Sequence, residues 1–163
     1  MLLFLKNLVF TVVVPGTVAV FIPYRIVSRA PSELALDPER LLLAAPAFAL
    51  GAATYFWCLW DFAVVGRGTP APIDPPKQLV VRGLYRYVRN PMYLGVLLVV
   101  AGWAALSWSP RVLEYGVVVA VLFHLVVLLV EEPLLRRRFG TAYEAYCRTV
   151  RRWLPGPAKG QAA

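Results

Sequence analysis

Gly83-Leu84-Tyr85-Arg86-Tyr87-Val88-Arg89-Asn90-Pro91-Met92-Tyr93-Leu94-Gly95 leads directly into an apolar run, placing two arginines and three tyrosines at the mouth of a hydrophobic helix. Its Asn-Pro junction marks where that helix begins. Proline disfavours helical geometry at the residue before it and suits the first helical position. Asn90 is therefore expected to cap a helix starting at Pro91. A helix N-terminus carries free N–H groups and partial positive charge, so it can receive an electron-rich group. Further along, Glu131 and Glu132 close the next apolar run. Two polar clusters at the ends of hydrophobic spans predict one site assembled from two helix ends.

Hydrophobic residues make up 60% of the chain and charged residues only 16%, a balance that excludes an ordinary soluble domain. The expected fold class is an all-α integral membrane protein. A bilayer core needs roughly 20 apolar helical residues, and residues 2–26, 41–65, 92–108 and 112–130 approach that length. Four transmembrane helices are expected, with a cytoplasmic loop and a C-terminal amphipathic helix forming a cofactor site. The first run follows Lys6 as a signal peptide would, but it is long and lacks a small-residue cleavage site, so it reads as a retained helix kinked at Pro15 and Pro23. Trp103 and Trp108 flank the turn between the last two spans and suit an interfacial aromatic belt. The small residues Ala49, Ala52 and Ala53 offer a packing face within one chain or between two. Residues 1–66 thus form an N-terminal helix pair, and residues 67–163 carry the loop, the helical hairpin and the amphipathic tail.

Basic residues are retained on the cytoplasmic side of membrane proteins. With four spans, the N-terminus, the middle loop and the tail share one side, which holds thirteen of the seventeen Lys and Arg; only Arg25, Arg29, Arg40 and Arg111 fall on the other. Both polar clusters therefore face the cytoplasm. The net charge of +8 lies at span ends rather than along a soluble face, so it fits topology and anionic lipid headgroups, not nucleic acid. Cys58 and Cys147 form no metal-ligand spacing and read as reduced thiols. Neither a P-loop nor a Rossmann glycine fingerprint is present, so any nucleotide-like cofactor is held by another architecture.

Residues 66–76 contain four prolines and two glycines and read as a conformationally restricted loop. Lys77, Gln78, Leu79, Val80 and Val81 follow as a short extended strip whose backbone groups need partners, a suitable wall for an adenine or ribose pocket. A short helix from Leu84 to Asn90 would put Tyr85 and Arg89 on one face. Carboxylates at the mouth of an apolar helix require cations or water. Arg136 lies one turn after Glu132, leaving Glu131 to a basic residue of the 77–89 segment or to a cationic ligand. Leu135, Phe139, Tyr143, Tyr146 and Val150 recur at helical spacing from residue 134 to residue 153, as in an interfacial amphipathic helix serving as a lid or as an anchor.

The pattern Gly83-x-Tyr85-x-x-x-Arg89-Asn90-Pro91-x-Tyr93-x-Gly95, followed by Glu131-Glu132-x-x-Leu135-x-x-x-Phe139-Gly140-x-x-Tyr143-x-x-Tyr146, resembles the isoprenylcysteine carboxyl methyltransferases and the related phospholipid methyltransferases. The resemblance covers about residues 77 to 155. It implies a membrane enzyme that uses S-adenosyl-L-methionine without a Rossmann domain. By position it implies cofactor contacts at Lys77, Gln78, Leu79, Val80, Tyr85, Asn90, Pro91, Met92, Tyr93 and Glu131, and no metal.

Two departures bear on the methyl acceptor. The prenylcysteine branch has His where this chain has Asn90, and Arg, holding the substrate carboxylate, where it has Val127. Arg89 is one substitute for that arginine; an acceptor that is not a carboxylate is the other reading. His124 lies two turns before Glu131, roughly on one α-helical face, and is a candidate base for an amine, hydroxyl or thiol, against a helix-to-helix hydrogen bond with Tyr55 or Asp61. Asp61 otherwise pairs with Arg67. Arg89, His124 and Glu132 are thus the catalytic candidates. The expected activity is methyl transfer to a lipid-like or prenylated acceptor in the manner of isoprenylcysteine carboxyl methyltransferases. The alternatives are methylation of a phospholipid amine and a small membrane protein without catalysis.

Overall fold

The structure is a computed structural model and describes residues 9, 11, 13–29, 37–66 and 78–156. Its elements are helical. Helix α1 spans Thr17–Ser28, with helical geometry also at Val9, Thr11 and Val13. Helix α2 spans Pro38–Asp61, α3 Pro91–Ser107, α4 Pro110–Val126, α5 Glu132–Phe139 and α6 Thr141–Thr149. Proline at the first position of α2, α3 and α4 starts each helix where an N–H would lack a partner anyway.

Two continuous helical stretches, Pro38–Val65 and Pro110–Phe139, are long and apolar enough to cross a bilayer. Of the other two expected spans, the first is described only in part, residues 2–8, 10 and 12 lying outside the described residues, and α3, at 17 residues, is about 25 Å long. Outer faces support a lipid environment for the bundle. Leu42, Leu43, Leu50, Phe56 and Trp60 on α2, and Leu113, Val117, Val121 and Leu122 on α4, are all exposed, large apolar side chains of the kind a water-facing exterior rarely carries in such number.

Helices α2 and α3 pack backbone to backbone. A Cβ on Gly51 would lie 2.7 Å from the Gly95 carbonyl oxygen, and one on Gly95 would lie 2.9 Å from that of Gly51. Small residues permit such an approach where lipid supplies no hydrophobic driving force between helices. The faces meeting there are Gly51 and Gly95, whereas Ala49 and Ala53 point outward. Farther along, Gly102 admits the Phe48 ring, and Tyr55, Val96 and Val100 fill the centre of the bundle with Ala19 of α1.

The α3–α4 hairpin turns at Trp108, whose φ of 49° ends α3. Its exposed ring receives the Arg40 guanidinium 5.4 Å from the centroid. Trp103 instead packs edge-on against Phe48 and Tyr24, so of the two expected belt residues only Trp108 is exposed.

After α4, residues Val127–Glu131 form a π-helical turn in which the Glu132 N–H bonds to the Val127 carbonyl five residues back. Pro133 lies in the first turn of α5 and supplies no N–H of its own, a setting in which a widened turn replaces a broken one. The amphipathic tail is two helices rather than one, because Gly140 turns the chain at φ 50°. Its apolar face docks on the protein: Leu135, Phe139, Tyr143, Tyr146 and Val150 pack with Leu79.

Gly51→Ala is expected to lower the thermal midpoint in detergent, at a cost of about 1–3 kcal/mol from overpacking against the α3 backbone. Ala53→Gly, on the exposed side of the same helix, should cost under about 1 kcal/mol.

Candidate active site

Residues 78–82 leave α2 behind as a non-helical strip, with Arg82 fully extended at φ −130° and ψ 163°. Leu79 and Val80 make no backbone-to-backbone hydrogen bonds among the described residues. The chain then turns at Gly83, φ 55°, where a Cβ would collide with the buried Asp61 carboxylate. Asp61 pairs with Arg82, Nε to Oδ1 3.3 Å; Arg67, the expected partner, lies outside the described residues, as do Lys77 and residues 68–76.

The expected helix over 84–90 is only a 3-10 turn, Gly83–Arg86. Beyond it the backbone pairs with the tail instead: Val88 bridges Arg151 in parallel, the Arg89 N–H donates to the Arg151 carbonyl at 2.9 Å, and the Gly156 N–H donates to that of Tyr87 at 3.2 Å. Asn90 occupies the N-cap position of α3 without capping through its side chain. Its Nδ2–H donates to the Arg152 carbonyl at 3.1 Å, so the tail captures the amide that sequence assigns to the helix.

Strip, α3 and tail enclose a cavity of about 410 Å³ with α1 and α4. From the sequence-derived set, Leu79, Val80, Tyr85, Arg89, Asn90, Met92, Tyr93 and Glu131 line it; Gln78, Pro91, His124 and Glu132 do not. Pro91 is buried at the helix start, and Gln78 is exposed. Tyr55, Phe62, Phe123, Leu135, Tyr143 and Tyr146 also line the cavity and were not singled out as site residues from sequence. Tyr143 and Tyr146 had a visible signal: phenols on the apolar face of an amphipathic helix are polar groups facing inward. The Tyr146 hydroxyl donates to the Tyr85 carbonyl at 2.7 Å, fastening the tail to the strip. Burial pushes the Tyr85, Tyr143 and Tyr146 phenols well above their ordinary pKa, so all three remain protonated donors at neutral pH.

The two adjacent glutamates face different surroundings, because consecutive helical residues diverge by about 100°. Glu131 reaches the cavity and accepts a hydrogen bond from the Tyr93 hydroxyl. Among the described residues no cation pairs with it. Glu132 is buried at 2% exposure and gathers three guanidinium groups: Arg89 Nη1 at 3.2 Å, Arg136 Nη2 at 3.2 Å, and Arg152 through Nε at 2.6 Å and Nη2 at 3.2 Å. Arg136 is the one-turn partner expected from sequence. Arg89, which lines the cavity, also donates from Nη1 to the Cys147 sulfur at 2.7 Å, so that nitrogen is shared between Glu132 and the tail, while its buried Nε has no partner among the described residues.

His124 does not share the face of Glu131, since the π turn holds an extra residue and seven residues no longer make two turns. Neither Tyr55 nor Asp61 is its partner: the Trp153 indole N–H donates to His124 Nδ1 at 2.9 Å. Val127 is 1% exposed and is packed as core.

This geometry defines a class: an all-helical protein with a lipid-compatible exterior, whose largely apolar internal cavity opens between membrane helices and a tail at their end. Comparison places it further. The chain belongs to the phospholipid methyltransferase family, whose sequence model matches residues 39–142. It is similar to a phosphatidylethanolamine N-methyltransferase of Pyrenophora tritici-repentis (strain Pt-1C-BFP), 32% identical over 90 residues that cover 53% of this chain and 10% of the fungal protein. The chain thus spans about a tenth of the length of that curated relative. No solved structure matches the chain. Of the two families in the resemblance, the comparisons favour the phospholipid one. Tyr143, Tyr146, Arg152 and Trp153 lie beyond the matched residues.

Glu132→Ala would strand Arg89 and Arg152 around an emptied buried position, and unfolding in detergent is expected to become easier by about 3 kcal/mol. Glu131→Gln, which strands no cation, should stay within about 1 kcal/mol of the parent.

Proposed function

We propose that this protein is an S-adenosyl-L-methionine-dependent integral membrane methyltransferase that methylates the amine of a phospholipid headgroup. The observation that carries the reading is Glu131, a cavity carboxylate whose partner is a phenol and to which no described cation is bound. Such a group favours a cationic ligand. A sulfonium donor with its ammonium and an ethanolamine headgroup both meet that requirement. A carboxylate acceptor does not: Val127 replaces the arginine it would need, and Arg89 is engaged by Glu132.

The residues present fit the donor. A cavity of about 410 Å³ lies in the roughly 300–1,000 Å³ range of small-molecule sites, which combine apolar walls with a few polar groups. The backbone groups of Leu79 and Val80, which have no backbone partners among the described residues, would hold the adenine or ribose edge, with Tyr85, Asn90, Met92 and Tyr93 around the remainder and Glu131 at the cationic end. When bound, S-adenosyl-L-methionine supplies an activated methyl group on sulfur. The protein's own contribution is alignment and the exclusion of water, which Leu135, Tyr143 and Tyr146 provide by closing the aqueous side. Arg89 and Glu132, catalytic candidates by sequence, here hold the motif to the tail.

Val14, Val126, Val130 and Leu134 both line the cavity and are exposed on the outer surface. The lipid acceptor would therefore reach the site sideways, between α1 and α4. The full reading counts α1 and α3 as spans beside the two long helices, giving a multi-pass protein with both termini and the donor site on the cytoplasmic side, where thirteen of the seventeen basic residues lie.

Glu131→Gln and Tyr93→Phe are each expected to weaken calorimetric binding of S-adenosyl-L-methionine about tenfold, with the fold intact. With labelled donor, phosphatidylethanolamine should gain methyl groups and a prenylcysteine analogue should gain none. Parental affinity in both variants, or labelling of the prenylcysteine alone, would overturn the proposal.

A further inference from the structure

The Tyr93 ring, whose hydroxyl holds Glu131, is itself held from two sides. Phe123 of α4 lies at 4.5 Å between centroids, and the Trp153 indole stands edge-on at 6.4 Å. Phe123 is fixed within a helix. Trp153 follows the last helix, on a segment whose place is set by cross-links: Arg151 accepts from the Arg89 N–H, Arg152 accepts from the Asn90 amide, and Gly156 donates to Tyr87. Within it, the tie made by the Trp153 side chain is its N–H bond to His124 Nδ1. An indole N–H donates and cannot accept, so His124 must present a lone pair to keep it. These contacts form one continuous series: His124 to Trp153 to Tyr93 to Glu131.

We infer that Trp153 and His124 are positioning residues for the cavity carboxylate. His124 does not line the cavity; it fixes the indole, the indole fixes the Tyr93 ring, and Tyr93 sets where Glu131 points. This explains an ionisable side chain within an apolar helix that touches no ligand space. It gives residue 153, beyond the segment matched by the family model, a role in donor binding. The inference rests on the donor-site reading of the cavity proposed above.

Titration of S-adenosyl-L-methionine into the full chain in lipid nanodiscs tests it. Trp153→Phe keeps an aromatic ring, though a smaller one, and removes the N–H; His124→Leu removes the acceptor; His124→Gln retains one. The first two should bind about fivefold more weakly, the value of one hydrogen bond, and the third should stay within about twofold of the parent. The double variant Trp153→Phe/His124→Leu should be no weaker than either single, and in a Glu131→Gln background Trp153→Phe should have no further effect, because residues acting through one contact are non-additive. Multiplying effects in either double variant would mean that the residues act independently rather than through one series of contacts, and would overturn the inference. Weakened binding in Glu131→Gln with parental binding in Trp153→Phe and His124→Leu overturns this inference alone. Parental binding in Glu131→Gln overturns the donor-site reading and this inference together.

Discussion

The carboxylate of Glu132 is the interaction on which the rest of the site depends. It is buried, and the three guanidinium groups around it come from three parts of the chain: Arg89 from the motif before α3, Arg136 from its own helix, and Arg152 from the tail. Their weights differ. Arg136 is about half exposed, at 48%, and an exposed pair one helical turn apart contributes only some tenths of a kcal/mol. Arg89, at 10% exposure, has lost most of its water and depends on the carboxylate. Arg152 brings two of its nitrogens to the same group. Without the central negative charge, Arg89 and Arg152 would repel one another at the seam where the tail meets the motif. That seam carries the backbone bonds from residues 87–89 to residues 151 and 156.

Much of this was readable in sequence where local chemistry dominates. Pro91 starts a helix because its geometry permits little else, and Arg136 pairs with Glu132 because one helical turn brings them together. Glu131 was expected to lack a close cation along its own helix. The readings that failed did so where distant segments competed. Asn90 does stand at the N-cap position, but its side chain makes no capping bond and its amide donates instead to Arg152, sixty-two residues later. His124 and Glu131 have α-helical spacing, but the π turn before Pro133 shifts the register between them. Gly140 divides a tail that periodicity reads as continuous, because a positive φ changes direction without interrupting the apolar pattern. The mutual contact of Gly51 and Gly95 was hidden, since each is one glycine among apolar residues and only the pairing of α2 with α3 gives either a meaning.

The bundle and the tail divide the labour of the cavity. Closely packed α2 and α3 provide a rigid back wall, with Tyr55 and Val96 among its lining residues. The front is made of parts that are separately mounted: the strip at Leu79 and Val80 before the motif, and Tyr143 and Tyr146 on a short helix after it. Binding groups on a rigid frame keep their geometry, whereas covering groups on a short docked helix can be released at smaller cost. Glu131 and Tyr93 belong to the frame, and the phenols of the tail belong to the cover.

In the proposed arrangement the cavity would lie between two media, with the exposed flanks of Val126, Val130 and Leu134 toward hydrocarbon and the docked tail toward water. In the proposed reaction, the spent donor leaves only when the tail undocks, while a methylated lipid slides away within the bilayer without crossing that barrier. A lipid that still carries a methylatable amine thus has no need to diffuse away between successive transfers, and the tail's release rate, rather than lipid exchange, would set the interval between them.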